Sequence, residues 1–242
     1  MLADRSSDRK HYFRVDLDRL IMFDIARDLC YPDSMQEKRV ADENAEWRPA
    51  EVEESKYWLQ SYYGHVIPLP SFRNDEAITI VSTARVLAGI NRFGARTVGS
   101  YYNVAHHSTL VARLVRDLGG SMLEQFQALN HEGDESLLGF DPPAPLVRVC
   151  PDLARLKRNA HESYCRRYGL PVELPQIVKH ADMVLLATEK RDLMAPCARR
   201  WSHMPEPLAE RIVPWDAAWA ESVFITEWCK LAVAIGLPEE RW

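Results

Sequence analysis

Histidines and carboxylates recur at short spacings in three segments of this sequence, residues 103–108, 129–135 and 180–189. These are the side chains that bind divalent ions or move protons. Helical bundles hold such ions with imidazole and carboxylate groups from several helices. A bound ion would lower the pKa of water and so supply a nucleophile at neutral pH. The residue types alone therefore indicate a candidate metal site, without naming a reaction.

Helical spacing selects particular side chains in each segment. His107 lies three residues from an apolar position on either side, so the periodicity places it in the interior. On a helix, Asp134 and Glu135 would follow His131 at i+3 and i+4, and an imidazole and two carboxylates would converge. Asp182 and Glu189 would lie two turns apart on one side of a third helix.

Each of these residues also has a simpler interpretation that the sequence leaves open. His107 could be a packed core histidine, and His131 could belong to a solvated helix face. Asp182 could form a salt bridge with Lys179 or Arg191 on its own helix.

The elements that must position these groups are predicted to be helices. Glycine is scarce, prolines fall between periodic segments, and no stretch alternates clearly at period two. Capping and proline signals predict helix starts at Asn74-Asp75, 100–103, Ser121 with Glu124, Pro151, Pro175 and Pro214. The fold class is therefore all-α. The polar, acidic stretch 33–56 predicts an N-terminal extension and linker over 1–56, followed by a domain over 57–242.

Composition excludes several other classes of protein. The 242 residues contain 30 basic and 35 acidic side chains, a net charge of −5, which disfavours nucleic acid as a partner. No apolar run approaches the roughly 18 residues of a membrane span, so no membrane partner is expected. The first ten residues are polar and charged with no apolar stretch behind them, which favours a cytoplasmic protein. The five cysteines form no CxxC pair, which argues against a zinc ribbon.

Residues 90–112 resemble the opening of the HD-domain metal-dependent phosphohydrolases, in particular their 5′-deoxynucleotidase-like branch in bacteria and phages. In that family an arginine and an aromatic residue precede a helix whose histidine is a metal ligand. Arg92 and Phe93 match the pair, and His107 matches the histidine. The neighbouring His106 falls at a position that varies in the family and has no assigned role.

Two later segments extend the resemblance to about residue 195. Residues 129–146 are similar to the segment with the family's signature histidine, and residues 180–194 to the segment with the last aspartate ligand. The matched residues are His131 (signature histidine), Glu135 (catalytic glutamate), Asp141 (the aspartate of a Gly-Asp-x-Pro turn) and Asp182 (last ligand). Phe140 is one extra residue before Asp141. The resemblance implies an HD-type helical bundle.

The chain departs from the family at the signature itself, where the usual His-Asp reads His131-Glu132. Glutamate keeps the charge and the oxygen donors, but its carboxylate lies about 1.5 Å further from the backbone, one C–C bond length. A hard-cation site absorbs this by backbone adjustment or loses affinity. Asp134 lies nearby as a substitute donor.

The resemblance implies a phosphohydrolase that acts on (deoxy)nucleotides, either by dephosphorylating nucleoside monophosphates or by hydrolysing deoxynucleoside triphosphates. One divalent ion (Mn²⁺, Co²⁺, Fe²⁺ or Zn²⁺) would be bound by His107, His131, Glu132 and Asp182. Substrate would be bound by Arg92 at the phosphate and by Phe93 at the sugar or base, while Glu135 and Asp141 would act in catalysis. The family also implies a homo-oligomer. The alternative is a catalytically impaired module that binds nucleotides or other proteins, in which Glu132 marks the lost activity.

Overall fold

The computed structural model describes residues 56–242, and the predicted all-α fold is confirmed there by eight α-helices and one short hairpin. The predicted extension over 1–56 lies outside the described residues, except for Lys56. The elements are β1 (Trp58–Gln60), β2 (Val66–Pro68), α1 (Ile80–Gly89), α2 (Val104–Asp117), α3 (Met122–Leu129), α4 (Glu135–Leu138), α5 (Ala144–Val149), α6 (Pro151–Tyr168), α7 (Gln176–Leu193) and α8 (Ala217–Ala234).

Most helices begin at the residues that the capping signals predict. The Asn103 side chain accepts a 2.8 Å hydrogen bond from the His106 amide at the start of α2. Ser121 and Glu124 form a reciprocal capping box on α3. The first helix differs, because Asn74 caps only a 3₁₀ turn and Thr79 caps α1. These caps are hydrogen bonds between a side chain and the backbone of residues close in sequence. Short sequence patterns therefore predict most of the helix starts.

The hairpin is the feature that sequence periodicity did not reveal. β1 and β2 pair antiparallel with three residues each, and Leu59 lies opposite Ile67. All three residues of β1 are exposed. A strand this short, with no buried face, has no period-two pattern to detect.

The core forms where α1, α2, α3, α7 and α8 pack together around a cluster of aromatic rings. Trp228 of α8 is fully buried, with its ring centroid 5.3 Å from those of Phe126 and Tyr168. Its indole N–H donates to the Asn130 side chain at 3.1 Å, and the Tyr164 hydroxyl donates to the same oxygen at 2.7 Å. The residue before His131 is thus fixed by two buried donors.

The segment after Asn130 is a turn and not the continuous helix that the i+3, i+4 spacing assumed. α3 ends at Leu129, and α4 begins at Glu135. A β-carbon at Gly133 would lie 2.2 Å from the Tyr164 ring, so only glycine allows this close approach. Because the chain turns here, His131 and Asp134 face different groups.

A short backbone bridge between two segments of the chain places Arg92 beside the start of α2. Asn91 and Asn103 form an isolated antiparallel bridge, and the Arg92 amide donates to the Tyr102 carbonyl at 2.8 Å. The following turn has positive φ at Phe93 (57°) and Ala95 (60°), which costs non-glycine residues about 1 to 2 kcal/mol each.

Candidate metal centre

Three ligand atoms from three different segments converge on one point. Two imidazole nitrogens, His107 Nε2 and His131 Nε2, lie 3.3 Å apart. Asp182 Oδ1 lies 3.2 Å from the first and 3.8 Å from the second. Ligands with bonds of about 2.1 Å to one ion are about 3.0 Å apart at right angles and about 3.4 Å apart at tetrahedral angles. Two of the three separations match these values, and the third, 3.8 Å, corresponds to a wider angle of about 130° between two 2.1 Å bonds. The donor set can therefore surround a single divalent ion, whose identity the geometry leaves open.

Hydrogen bonds on the far side of each imidazole orient the rings toward this point. His131 Nδ1 donates to the Ala128 carbonyl at 2.7 Å, and His107 Nδ1 lies 2.5 Å from Glu189 Oε1. Both rings then point Nε2 at the common point, which is how proteins orient metal-binding histidines. We call His107, His131, Asp182 and Glu189 the histidine cluster.

Glu189 also holds Arg92, so that one carboxylate connects two sequence-predicted site residues. Its second oxygen, Oε2, accepts bonds from Arg92 Nη2 at 3.0 Å and Nε at 3.3 Å. Glu189 is fully buried, and the Arg92 side chain is only 8% exposed. Arg92 is therefore a buried side chain held in place at the candidate site.

The charges within the histidine cluster shift the pKa values of its members. Burial and Arg92 lower the pKa of His107, but Glu189 and Asp182 outweigh them and raise it to about 9. Burial lowers the pKa of His131, although Glu132 and Asp182 oppose the shift. Burial would raise the pKa of Asp182, but His107, His131 and Arg92 lower it to about 2. The salt bridges that Asp182 could have formed along its helix are not the observed ones, because Lys179 pairs with Glu173 and Arg191 pairs with Asp192.

Beside the histidine cluster, acidic side chains of the 131–135 turn surround a lysine from α6. Lys157 Nζ lies 2.8 Å from Asp134 Oδ2, 3.2 Å from Glu135 Oε1 and 3.4 Å from Glu132 Oε2. His161 Nδ1, one turn further along α6, lies 3.7 Å from Asp134 Oδ1. We call Lys157, His161, Asp134 and Glu135 the lysine cluster. Asp134 belongs to this cluster and does not converge with His131 as the helical spacing predicted.

Glu132 lies between the two clusters, with one oxygen toward each. Its Oε1 is 3.7 Å from both His131 Nε2 and Arg92 Nη1, and its Oε2 faces Lys157. Burial opposes ionisation, yet Lys157, His131 and Arg92 together hold the pKa of Glu132 well below its usual range. The carboxylate is thus charged, next to the point where the histidine cluster converges.

Glu135, the predicted catalytic glutamate, is 1% exposed. Its Oε2 atom is buried with no hydrogen-bond partner among residues 56–242. Burial and the carboxylates of Glu132, Asp141 and Asp134 raise its pKa well above the usual value, while Lys157 opposes the shift. A raised carboxyl pKa suits a group that exchanges a proton near neutral pH.

The predicted substrate residues border the site. The Phe93 amide donates to Asp141 Oδ2 at 3.3 Å, which ties two predicted residues together although Phe140 is inserted before Asp141. The Arg92 guanidinium lies 5.4 Å from the centre of the Phe93 ring, and Trp201 contacts the same ring at a centroid distance of 6.3 Å. Phe93 and Trp201 form an aromatic wall next to the polar groups.

His106 is next to His107 in the sequence, but its side chain packs against an aromatic ring and does not point at the candidate metal site. Its ring stacks on Trp215 with centroids 3.8 Å apart and planes at 9°, and its Nδ1 accepts a bond from the Trp215 amide. Burial, His107 and Arg113 lower its pKa to about 3. His106 is therefore a neutral packing residue, although it is adjacent to a candidate ligand.

The fold and site define an α-helical protein in which two buried histidines and the half-buried Asp182 could hold a metal ion. No protein-family model matches the chain. The chain is 37% identical over 120 residues to the uncharacterized protein YfdR of Escherichia coli K12, a match that covers 50% of this chain and 64% of that protein. The described part contains no helix with the length and hydrophobicity of a membrane span.

Sequence reasoning missed Lys157, His161 and Trp201. Lys157 is 22 to 25 residues from its acidic partners in the sequence. The sequence of its helix, α6, resembles that of an ordinary helix rich in charged residues. Glu189 was noted for its helical spacing, but nothing local could show that it bonds His107 and Arg92.

Proposed function

We propose that this protein is a metal-dependent phosphohydrolase acting on nucleotides. The main support is the convergence of His107 Nε2, His131 Nε2 and Asp182 Oδ1 at separations that fit one divalent ion. The resemblance to HD-domain phosphohydrolases matches the same three residues independently of their geometry.

In this proposal His107, His131 and Asp182 hold the ion, and Glu132 Oε1 is the next donor. The ion would polarise the phosphate and lower the pKa of water. Asp182 has a side chain that is 35% exposed, so the cluster opens to solvent on that side. Substrate can therefore approach the ligands from this opening.

The remaining residues bind and orient the reactants. Glu135 Oε2, buried and unpaired within the described part, takes a proton from the attacking water while the oxygen of that water bonds to phosphorus. The bond from phosphorus to the leaving oxygen breaks, the leaving oxygen takes a proton from solvent water, and Glu135 then returns its own proton to solvent. Arg92 is held by Glu189, and its Nη1 side donates to phosphate oxygens. Phe93 and Trp201 contact the sugar or base, and Asp141 bonds the sugar or the water.

The test is phosphate release from nucleoside mono-, di- and triphosphates, each with Mn²⁺, Co²⁺, Fe²⁺ or Zn²⁺ added to metal-stripped protein. We expect turnover that depends on metal and is absent in Asp182→Ala. Ribose 5-phosphate, which has no base, should be a poorer substrate. Nucleotide binding without turnover, under every metal, would contradict hydrolysis and favour the binding module.

A further inference from the structure

The lysine cluster has the geometry of a cation site whose cation is a side chain. Within residues 56–242, carboxylate oxygens of Glu132, Asp134 and Glu135 lie 2.8 to 3.4 Å from Lys157 Nζ. Asp134 and Glu135 are each 1% exposed, so their carboxyl groups are withdrawn from solvent. Buried carboxylates at this spacing require a positive charge at their centre.

Glu132 connects this centre to the metal position. One of its oxygens faces His131 and Arg92, and the other faces Lys157. A carboxylate with one oxygen toward each of two cations is how a bridging ligand joins the ions of a two-metal site. The extra methylene of glutamate, compared with the aspartate that the resemblance expects, gives the side chain the reach for both positions.

We propose that the ammonium group of Lys157 takes the place of a second cation, so that the site binds one divalent ion and uses lysine for the other positive charge. The inference rests on the proposed metal site at His107, His131 and Asp182. Lys157 is a positioning residue here, because it acts by holding the carboxylates of Glu132 and Glu135 in place. The unpaired Oε2 of Glu135 then stays available on the side away from the lysine bond.

The experiment counts Mn²⁺ ions per chain by equilibrium dialysis and elemental analysis in wild type and Lys157→Ala. Arg155→Ala is the matched control, because it removes one exposed positive charge from the same helix. We expect one ion in wild type and in Arg155→Ala. Lys157→Ala should bind two, because its vacated carboxylates accept the second ion.

One ion in a folded Lys157→Ala variant, or two in wild type, would overturn the proposal. Thermal melting with and without Mn²⁺ covers the case in which the variant folds poorly. Mn²⁺ should then raise its melting temperature more than that of wild type, and failure of Mn²⁺ to do so also contradicts the proposal. If wild type binds no ion and Lys157→Ala binds one, the proposed metal site fails while the role of Lys157 stands.

Discussion

The histidine cluster and the lysine cluster lie side by side, and both gather acidic groups, yet they differ in the source of positive charge. In the histidine cluster, two imidazole nitrogens and one oxygen of Asp182 converge on a common point. In the lysine cluster, the carboxylates already surround the ammonium group of Lys157. The comparison shows that acidic density alone does not locate a metal. A site for an ion is expected where ligand atoms converge and no side-chain cation occupies the point between them.

The largest expected effect is the loss of a ligand from the histidine cluster. His107→Ala should weaken Mn²⁺ binding by more than about 100-fold and abolish hydrolysis, because a direct ligand matters more than an outer partner. Isothermal titration with Mn²⁺ measures this. The matched control is His106→Phe, which keeps a ring on Trp215 and should still bind the ion. If a folded His106→Phe lost the ion and His107→Ala kept it, the assignment of the two histidines would be wrong.

The next effect comes from the carboxylate behind His107. Glu189→Gln keeps the shape but loses the charge that orients the imidazole, so Mn²⁺ affinity should fall about 10- to 100-fold. Asp192→Asn is the matched control, since Asp192 is also buried on α7, also paired with an arginine, and bonded to the Ile212 amide. Equal metal affinity in wild type and Glu189→Gln would show that Glu189 only packs.

Arg92→Lys should have a smaller effect, a loss of affinity for the substrate and of stability of the fold. Lysine cannot reproduce the two bonds to Glu189, so we expect about 1 to 3 kcal/mol less stability in urea unfolding. Affinity for the nucleotide should fall about tenfold while Mn²⁺ affinity changes little. Arg85→Lys, at an exposed pair with Glu221, serves as the control. Unchanged turnover and nucleotide affinity would leave Arg92 with a structural role only.

The smallest effect is a pH dependence of stability in the lysine cluster. Hydrogen bonds with Asp134 and the Cys165 sulfur outweigh burial and raise the pKa of His161 from 6.5 to about 11. A raised pKa stabilises the fold fully below pH 6.5, and this contribution is lost as the pH rises toward 11. Wild type should therefore exceed His161→Asn by about 1 to 2 kcal/mol at pH 6 and by less at pH 9, as measured by urea unfolding. If the stability difference between wild type and His161→Asn grew with pH, the assignment of the ion pair between His161 and Asp134 would be wrong.

What the sequence predicts depends on how local the determining contacts are. The cap at Asn103 and the capping box at Ser121 involve residues three apart, so the starts of α2 and α3 follow from short patterns. The turn at Gly133 depends on the Tyr164 ring, which is 31 residues away, and helical spacing therefore misplaced Asp134. The role of Lys157 could not be predicted for the same reason, because its acidic partners are distant in the sequence.

The candidate site follows the same division. Residue types and the family resemblance selected His107, His131 and Asp182, which the structure brings together. Neither could separate His106 from His107, because the difference is made by Trp215 on one side and Glu189 on the other. These partners are 109 and 82 residues away and become neighbours only when the helices pack.

The most direct test of the central claim is anomalous diffraction from crystals of the protein soaked in Mn²⁺. We expect one anomalous peak, about 2.1 to 2.2 Å from His107 Nε2, His131 Nε2 and Asp182 Oδ1, and none among the carboxylates around Lys157. A peak in the lysine cluster with none in the histidine cluster would contradict the account, as would the absence of any peak in well-soaked crystals.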